Sequence, residues 1–526
     1  MKLLNIQDLS VEQKIGQLIM ARTPAMLDAD DAEFALELIR NHALGGVQVA
    51  PKAGAREIID RILQAADYPI FIAADMENGF QLGDLQISSN LALGIIDDPQ
   101  TAYDFAKITA IQAKNFGYNM IWSPIVDRPT RKSISATLRA FGSTRERVAE
   151  LSIAYMKAFA DCGVVGAAKH YPSARDCAGD SHMHEKISHH TREELLEENL
   201  YPYRKMVEAL GADMMGVMTT HAQLINLDPV YPTSLSKPSI DLLKEIGFDG
   251  LVVSDSLAMM AVAQKFGDDV TPGLAVAAGN DLVLPNYRRT LRYSYNALLE
   301  SYRKGVFTEE RLNEACARVL RAQERTLRQP ARKEITEQDR RTVAHINRDC
   351  VCAVTDPGLT PAIDPEKRHL FVVLKRNIYE PGDLSANYEI ENDKGWNPKL
   401  MGKLLLEKFP NSDVQYICEF PHRDQNERIC AAAVRHDDVV FVTFCEANAY
   451  QGANGLTERM RYLIDSLSSR IVAIVHIGNP FAMEPVAHVP RLIFGLPHKA
   501  CYETIPGILA GELPVQGTLP MQLQLK

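Results

Sequence analysis

The sequence has no run of about 18 apolar residues, the least that a membrane-spanning helix requires, so no transmembrane segment is expected. Its first residues, Met1-Lys2-Leu3-Leu4-Asn5, pass at once into polar and acidic ones. They carry no apolar core and no Ala-x-Ala site, so no secretory leader is expected. Cysteine is sparse. Nine residues in 526, odd in number and far apart, do not make a fully paired disulfide framework and point to a reducing, cytoplasmic setting. Cys350 and Cys352 form a C-x-C pair, which alternation along an apolar strand explains without metal or redox chemistry. Positive charge is in deficit: 57 Lys and Arg against 67 Asp and Glu leave a net charge of −10. An acidic surface repels phosphate backbones, which argues against nucleic acid as the main partner. Low-complexity segments and short repeats are absent. A composition 46% hydrophobic and 24% charged excludes wholesale disorder.

What is present is a repeating pattern. Short, wholly apolar runs lie at Gly46–Ala50, Ile70–Asp75, Met120–Asp127, Val164–His170, Met214–His221, Leu251–Asp255 and Asp281–Pro285. They read as buried strands. Amphipathic stretches such as Arg147–Cys162, Arg192–Leu210 and Ile240–Ile246 separate them. Strand and helix alternating seven or eight times predict a parallel sheet closed into a (β/α)8 barrel over residues 1–330. Residues 1–45 read as a leading helical stretch, with Ser10-Val11-Glu12-Gln13 as a capping box. After the helical segment Glu309–Leu327, a proline and a charge-dense stretch predict a linker at 331–344. A second α/β pattern fills 345–526, with strand-like runs at His369–Leu374, Val414–Cys418, Asp438–Phe444, Ile471–Ile477 and Arg491–Phe494. It predicts a three-layer α/β sandwich domain.

The chemistry gathers at the ends of the first-domain strands, which finish in Asp75, Asp127, Lys169-His170, His221 and Asp255. In a parallel barrel those ends share one face, where active sites are built. The densest polar stretch follows Lys169-His170 and contains Asp180 and His182, two residues apart. In a turn, that spacing lets the carboxylate hold one imidazole nitrogen while the other moves protons. His182-x-His184, with His189 and His190 nearby, leaves a metal site as a competing reading. Asp255, rigid at the end of a buried strand, suits attack on an electrophilic carbon. A fixed anion plus a histidine proton shuttle is the equipment of a retaining glycosidase whose second carboxylate is replaced.

At these residues the chain resembles glycoside hydrolase family 3, in its NagZ-type β-N-acetylglucosaminidase branch. The motifs are Lys169-His170-Tyr171-Pro172, Asp180-Ser181-His182, Ser254-Asp255-Ser256-Leu257-Ala258-Met259, Asp75-Met76-Glu77-Asn78-Gly79, Asn119 through Asp127, Arg139-Ala140-Phe141-Gly142 and Ala278-Gly279-Asn280-Asp281. The resemblance implies Asp255 as nucleophile and His182 as acid/base, oriented by Asp180. It implies Asp75, Arg139, Lys169, His170 and His221 as sugar-binding residues. It also implies exo-acting release of terminal GlcNAc from peptidoglycan-type or other glycosides. No cofactor and no metal are expected. A carbohydrate is the expected partner, nucleic acid and membrane are not, and a homodimer is left open. Three departures stand out: Ser173-Ala174-Arg175 where the family has Gly-His-Gly, Met183-His184-Glu185-Lys186 after the dyad, and Gly79-Phe80 where the family has Gly-Arg. Arg175 is expected to attract an anionic group of the substrate. A phosphorylase using the same residues, a glycosidase for another sugar, a catalytically silent sugar-binding protein and a metal hydrolase remain as alternatives.

Overall fold

Eight short strands, buried along nearly their whole length, build the first sheet: β1 (Met20–Arg22), β2 (Gly46–Gln48), β3 (Phe71–Ala74), β4 (Met120–Ile121), β5 (Val165–Tyr171), β6 (Gly216–Thr219), β7 (Leu251–Ser256) and β8 (Leu282–Leu284). The computed structural model describes residues 1–133, 136–214, 216–355, 362–375, 396–446 and 455–525. All seven strand pairings along the sheet, β1 to β8 in order, are parallel. The Val283 N–H donates to the Leu18 carbonyl at 2.9 Å, and Ile19 bridges to Val283, closing the ring. The expected (β/α)8 barrel is therefore present. Its core includes Met20, Phe71, Met120, Trp122, Met218, Val253 and Leu284, which come from six of the strands or the residue just past one.

Each of the seven expected runs holds a strand; the reading of residues 1–45 as helical needs correction. The capping box is formed: Ser10 Oγ accepts from the Gln13 N–H, and Gln13 Oε1 accepts from the Ser10 N–H. The helix it starts ends at Gln17, and β1 follows at once. Leu, Met, Ala and Arg are good helix formers, but pairing of Met20–Arg22 with Gly46–Gln48 overrides that preference. Conversely, β4 is only two residues long. Beyond it the chain still runs beside β5, with the Lys169 N–H donating to Pro124 O at 3.0 Å and the Val126 N–H to Lys169 O at 2.6 Å. A further parallel pair, Lys186–Ser188 with Ala222–Leu224, was not expected from the sequence.

The helix Glu309–Arg325 shows how the outer layer attaches. Thr308 caps it, and Leu312, Ala315, Cys316, Val319 and Ala322 form the buried stripe of an amphipathic helix. Its Arg311 and Arg318 reach the buried Asp281 carboxylate just before β8, at 2.6 and 3.4 Å.

By contacts the chain divides into two compact units. The first comprises Met1–Gln86, Pro99–Ser133 and Arg145–Arg340; the second comprises Ile87–Asp98, Ile134–Thr144 and Arg341–Lys526. The second unit's sheet has six strands: β9 (Cys352–Ala353), β10 (His369–Lys375), β11 (Asp413–Cys418), β12 (Asp438–Cys445), β13 (Ile471–Gly478) and β14 (Leu492–Gly495). Their order is β9-β14-β13-β12-β10-β11, and only the β9–β14 pair is antiparallel. The five runs expected here each hold a strand. Cys350 and Cys352 are buried and unpaired.

Candidate active site

A lysine almost wholly out of solvent organises one side of the barrel's C-terminal face. Lys169, 2% exposed near the end of β5, donates through Nζ to Asp75 Oδ1 at 2.5 Å and to Glu77 Oε1 at 2.9 Å. A buried ammonium needs such partners, and β3 delivers them because Asp75 is the residue after its last apolar position. Asp75 remains largely exposed, which leaves it able to meet a sugar hydroxyl.

The next residue, His170, joins two carboxylates. Its Nδ1 lies 2.6 Å from Asp127 Oδ2, and the same oxygen accepts the His170 N–H at 3.2 Å. With Nδ1–H committed to Asp127, Nε2 faces Asp255 Oδ2 at 4.0 Å. The Asp127 contact depends on the chain past β4 staying beside β5.

Asp255 lies near the end of β7, with its side chain 19% exposed. Its Oδ1 accepts the N–H of Ser256 at 2.7 Å. Burial pushes its pKa up, but the opposing pull of the groups around it, His170 foremost, is larger. The carboxyl therefore lies below its ordinary range and is ionised at neutral pH.

His221 is 1% exposed, and both its nitrogens are engaged. Nε2–H donates to Ser256 O at 2.9 Å, while Nδ1 accepts from the Ser234 hydroxyl at 2.7 Å. Burial lowers its pKa, so the ring is neutral. In this arrangement His221 grips the backbone beside Asp255.

Asp180 and His182 form a separate pair in the loop after β5. Asp180 is 3% exposed; its Oδ1 accepts the His182 N–H at 3.0 Å and lies 2.6 Å from His182 Nδ1. One carboxylate thus fixes both the turn and the ring. Nδ1–H points at Asp180, which makes Nε2 the nitrogen for proton transfer. The Asp180 carbonyl accepts the N–H groups of Met183 and His184, each at 3.0 Å. The Ala261 N–H donates to Ser181 O at 3.3 Å, tying this loop to the segment after Asp255.

Arg175 is half-buried, and its Nε has no hydrogen-bond partner. Near it, Arg128 donates to Glu198 O at 2.6 Å and pairs with Glu198 Oε2 at 3.2 Å, while Arg145 pairs with Glu198 Oε1 at 2.6 Å. Arg139 is half-buried and belongs to the second unit. Among the described residues, no group of three or more His, Cys, Asp or Glu is arranged to hold a metal ion. His184 Nδ1 instead faces its neighbour's carbonyl, Glu185 O, at 2.8 Å.

Three groups at this face were not among the expected site residues. Asp127 had a signal, an ionisable residue at a strand end. Glu77 had one too, in the Asp-x-Glu element. Arg22 had none, because its strand read as helix. The structure puts it at the end of β1, with Nε donating to Gln48 Oε1 at 2.8 Å and Nη1 to Ser256 Oγ at 3.2 Å.

Comparison with known proteins agrees with this architecture. The model of the glycosyl hydrolase family 3 N-terminal domain matches residues 10–322. A Cellulomonas fimi beta-N-acetylglucosaminidase/beta-glucosidase is 27% identical over 339 residues, spanning 60% of this chain and 57% of that one. The solved family 3 beta-N-acetylglucosaminidase of Paenibacillus sp. FPU-7 superposes with a TM-score of 0.78 at 25% identity, covering 98% of this chain and 100% of that one. A beta-glucoside phosphorylase, BglX, shares the fold at a TM-score of 0.79 and 20% identity, covering 98% of this chain and 94% of that one. With its match extending over more than half its length, the chain belongs to glycosyl hydrolase family 3.

Proposed function

We propose that this protein is a retaining, exo-acting β-N-acetylglucosaminidase that releases terminal GlcNAc through a covalent intermediate on Asp255. The observation that carries this reading is the ionised Asp255 carboxylate, fixed by Ser256 and His170, on the barrel that also carries the Asp180–His182 pair. The names of the Cellulomonas and Paenibacillus relatives support the choice of sugar.

An Asp255 oxygen attacks the anomeric carbon as His182 Nε2–H protonates the departing oxygen. Asp180 stabilises the imidazolium that performs this step, since its charge sits on the Nδ1–H side. In the second half, neutral His182 takes a proton from water through Nε2. That water displaces Asp255 and leaves the product with its original configuration. Asp75, Lys169 and His170 supply donors and acceptors for the sugar hydroxyls. His221 serves by holding the Ser256 carbonyl. Hydrogen bonds that strengthen as the ring flattens lower the barrier.

The finer reading is an acidic aglycone, such as a peptidoglycan fragment, handled in the cytoplasm. The half-buried Arg175 guanidinium supports the first part, and nine cysteines, none of them in a disulfide, support the second. A second reading, phosphorolysis, is favoured by one feature: a neutral imidazole repels incoming phosphate less than a carboxylate would.

One experiment separates these readings: turnover of chromogenic β-glycosides of GlcNAc, glucose and xylose, with and without phosphate. Free GlcNAc in both conditions supports the hydrolase. A sugar 1-phosphate appearing with phosphate moves the assignment to a phosphorylase. No release of GlcNAc from any substrate refutes the proposal.

A further inference from the structure

Ser256 has a hydrogen bond on each of its backbone polar groups and on its side chain. Its N–H donates to Asp255 Oδ1 at 2.7 Å. Its carbonyl accepts from His221 Nε2 at 2.9 Å. Its hydroxyl oxygen accepts from Arg22 Nη1 at 3.2 Å. The residue beside the nucleophile is therefore clamped from two sides, by β1 and by the loop after β6. We propose that Arg22 is a positioning residue for Asp255, acting through the Ser256 hydroxyl; this rests on Asp255 being the nucleophile.

The geometry favours this role over that of a solvated surface cation. Arg22 is itself fixed on three sides: Nε by Gln48 Oε1 at the end of β2, Nη1 by Ser256 at the end of β7, and its face by the Tyr287 ring, 5.1 Å from the guanidinium carbon. Tyr287 follows β8, so four neighbouring strands of the closed barrel converge on one side chain. Arg288, the next residue, lies 5.4 Å from the same ring and donates to Ala258 O at 3.2 Å, tying down the loop after Asp255. A planar fork with donors on two edges meets Gln48 and Ser256 at once, which a lysine ammonium at the end of a flexible stem does less well.

Charge adds a second effect. Arg22 lies within electrostatic range of Asp255 and Asp75, and both favour its charge against the opposing effect of burial. The charged and titratable groups acting on Asp255 are then His170 and Lys169 from β5, His221 after β6 and Arg22 from β1, while Asp75 after β3 acts on Arg22 and Lys169. Tyr287 stacks on Arg22, and Asp127 holds His170. Among these, Arg22 is the cation that touches Ser256. Removing it loosens the clamp and takes a positive charge from the neighbourhood of the nucleophile.

The test measures kcat/KM against pH on an aryl GlcNAc glycoside for the wild type, Arg22→Met, Arg22→Lys, Ser256→Ala and the Arg22→Met/Ser256→Ala double variant. Thermal melting of each variant serves as a control for folding. Arg22→Met should lose about 10- to 150-fold in kcat/KM, the scale of a charged hydrogen bond. Its acidic limb should move to higher pH, because Asp255 is less easily ionised. Arg22→Lys should recover part of both effects. The double variant should be no worse than Arg22→Met, since the arginine acts through the serine. An unmoved acidic limb with a raised KM, or fully additive losses, overturns the inference and makes Arg22 a direct substrate contact. A wild type inert toward every glycoside overturns the glycosidase reading and this inference with it; an active wild type with an unmoved limb overturns the inference alone.

Discussion

Replacing Asp180 by asparagine isolates what the Asp180–His182 pair contributes. Asparagine keeps an oxygen that accepts the His182 N–H, now at 3.0 Å, so the turn is preserved. What disappears is the negative charge 2.6 Å from Nδ1, on a side chain only 3% exposed. A charge-assisted hydrogen bond of this kind is worth about 1.5–3 kcal/mol, or about 10- to 150-fold in rate. The loss should fall on the step in which His182 is an imidazolium, namely protonation of the departing oxygen. The assay is kcat/KM for a series of aryl GlcNAc glycosides whose phenols differ in acidity. Asp180→Asn should barely affect a dinitrophenyl leaving group, which departs without a proton. It should lose the full 10- to 150-fold on unactivated substrates, steepening the dependence on leaving-group acidity. His182→Ala should follow the same pattern more severely, and the double variant should add little. An equal loss for all leaving groups, under conditions where the intermediate does not accumulate, would refute the assignment of Asp180 as the partner of a general acid.

Two further outcomes test other parts of the chain. Arg175→Ala should raise KM for a carboxylate-bearing fragment by about 10- to 150-fold and leave a neutral aryl glycoside unchanged; equal effects on both would reduce Arg175 to a residue that shapes its loop. In the second unit, His476 is buried, accepting from the Thr443 hydroxyl at 2.7 Å and donating to Asn479 O at 2.8 Å. Burial pushes its pKa down to about 4. Because the unfolded histidine titrates near ~6.5, the stabilisation is fully present above that pH. About 3 kcal/mol is lost as pH falls toward 4. The melting temperature followed from pH 7 to 4.5 should drop more in the wild type than in His476→Gln; identical slopes would show that another group controls the acid sensitivity.

The barrel was legible because its strands are apolar on both faces and end in ionisable residues. Short apolar runs between amphipathic stretches suit a parallel sheet covered by helices and few architectures besides. The motif residues Lys169-His170 and Asp180-Ser181-His182 mark the site without any geometry. What escaped is equally specific. β1 is three residues long and built from helix formers, so only its pairing with β2 reveals it; Arg22 escaped with it. The engagement of both His221 nitrogens could not be read, because it depends on Ser234 and on the carbonyl of Ser256, two partners far apart in sequence. The grouping of Ile87–Asp98 and Ile134–Thr144 with the second unit likewise rests on long-range contacts that leave no local pattern. Asp127 was visible as a strand end, but its partner His170 became evident only because residues 124–126 stay beside β5.

The claim on which the rest depends is that Asp255 forms a bond to the sugar. Incubating the protein with a 5-fluoro GlcNAc glycosyl fluoride, which slows breakdown of the intermediate, and measuring intact and peptide masses tests it directly. The expected result is a single added fluorosugar on the peptide carrying Asp255, and none on Asp255→Asn. An enzyme that turns over GlcNAc glycosides yet gains no adduct, or gains it on another residue, would contradict the assignment.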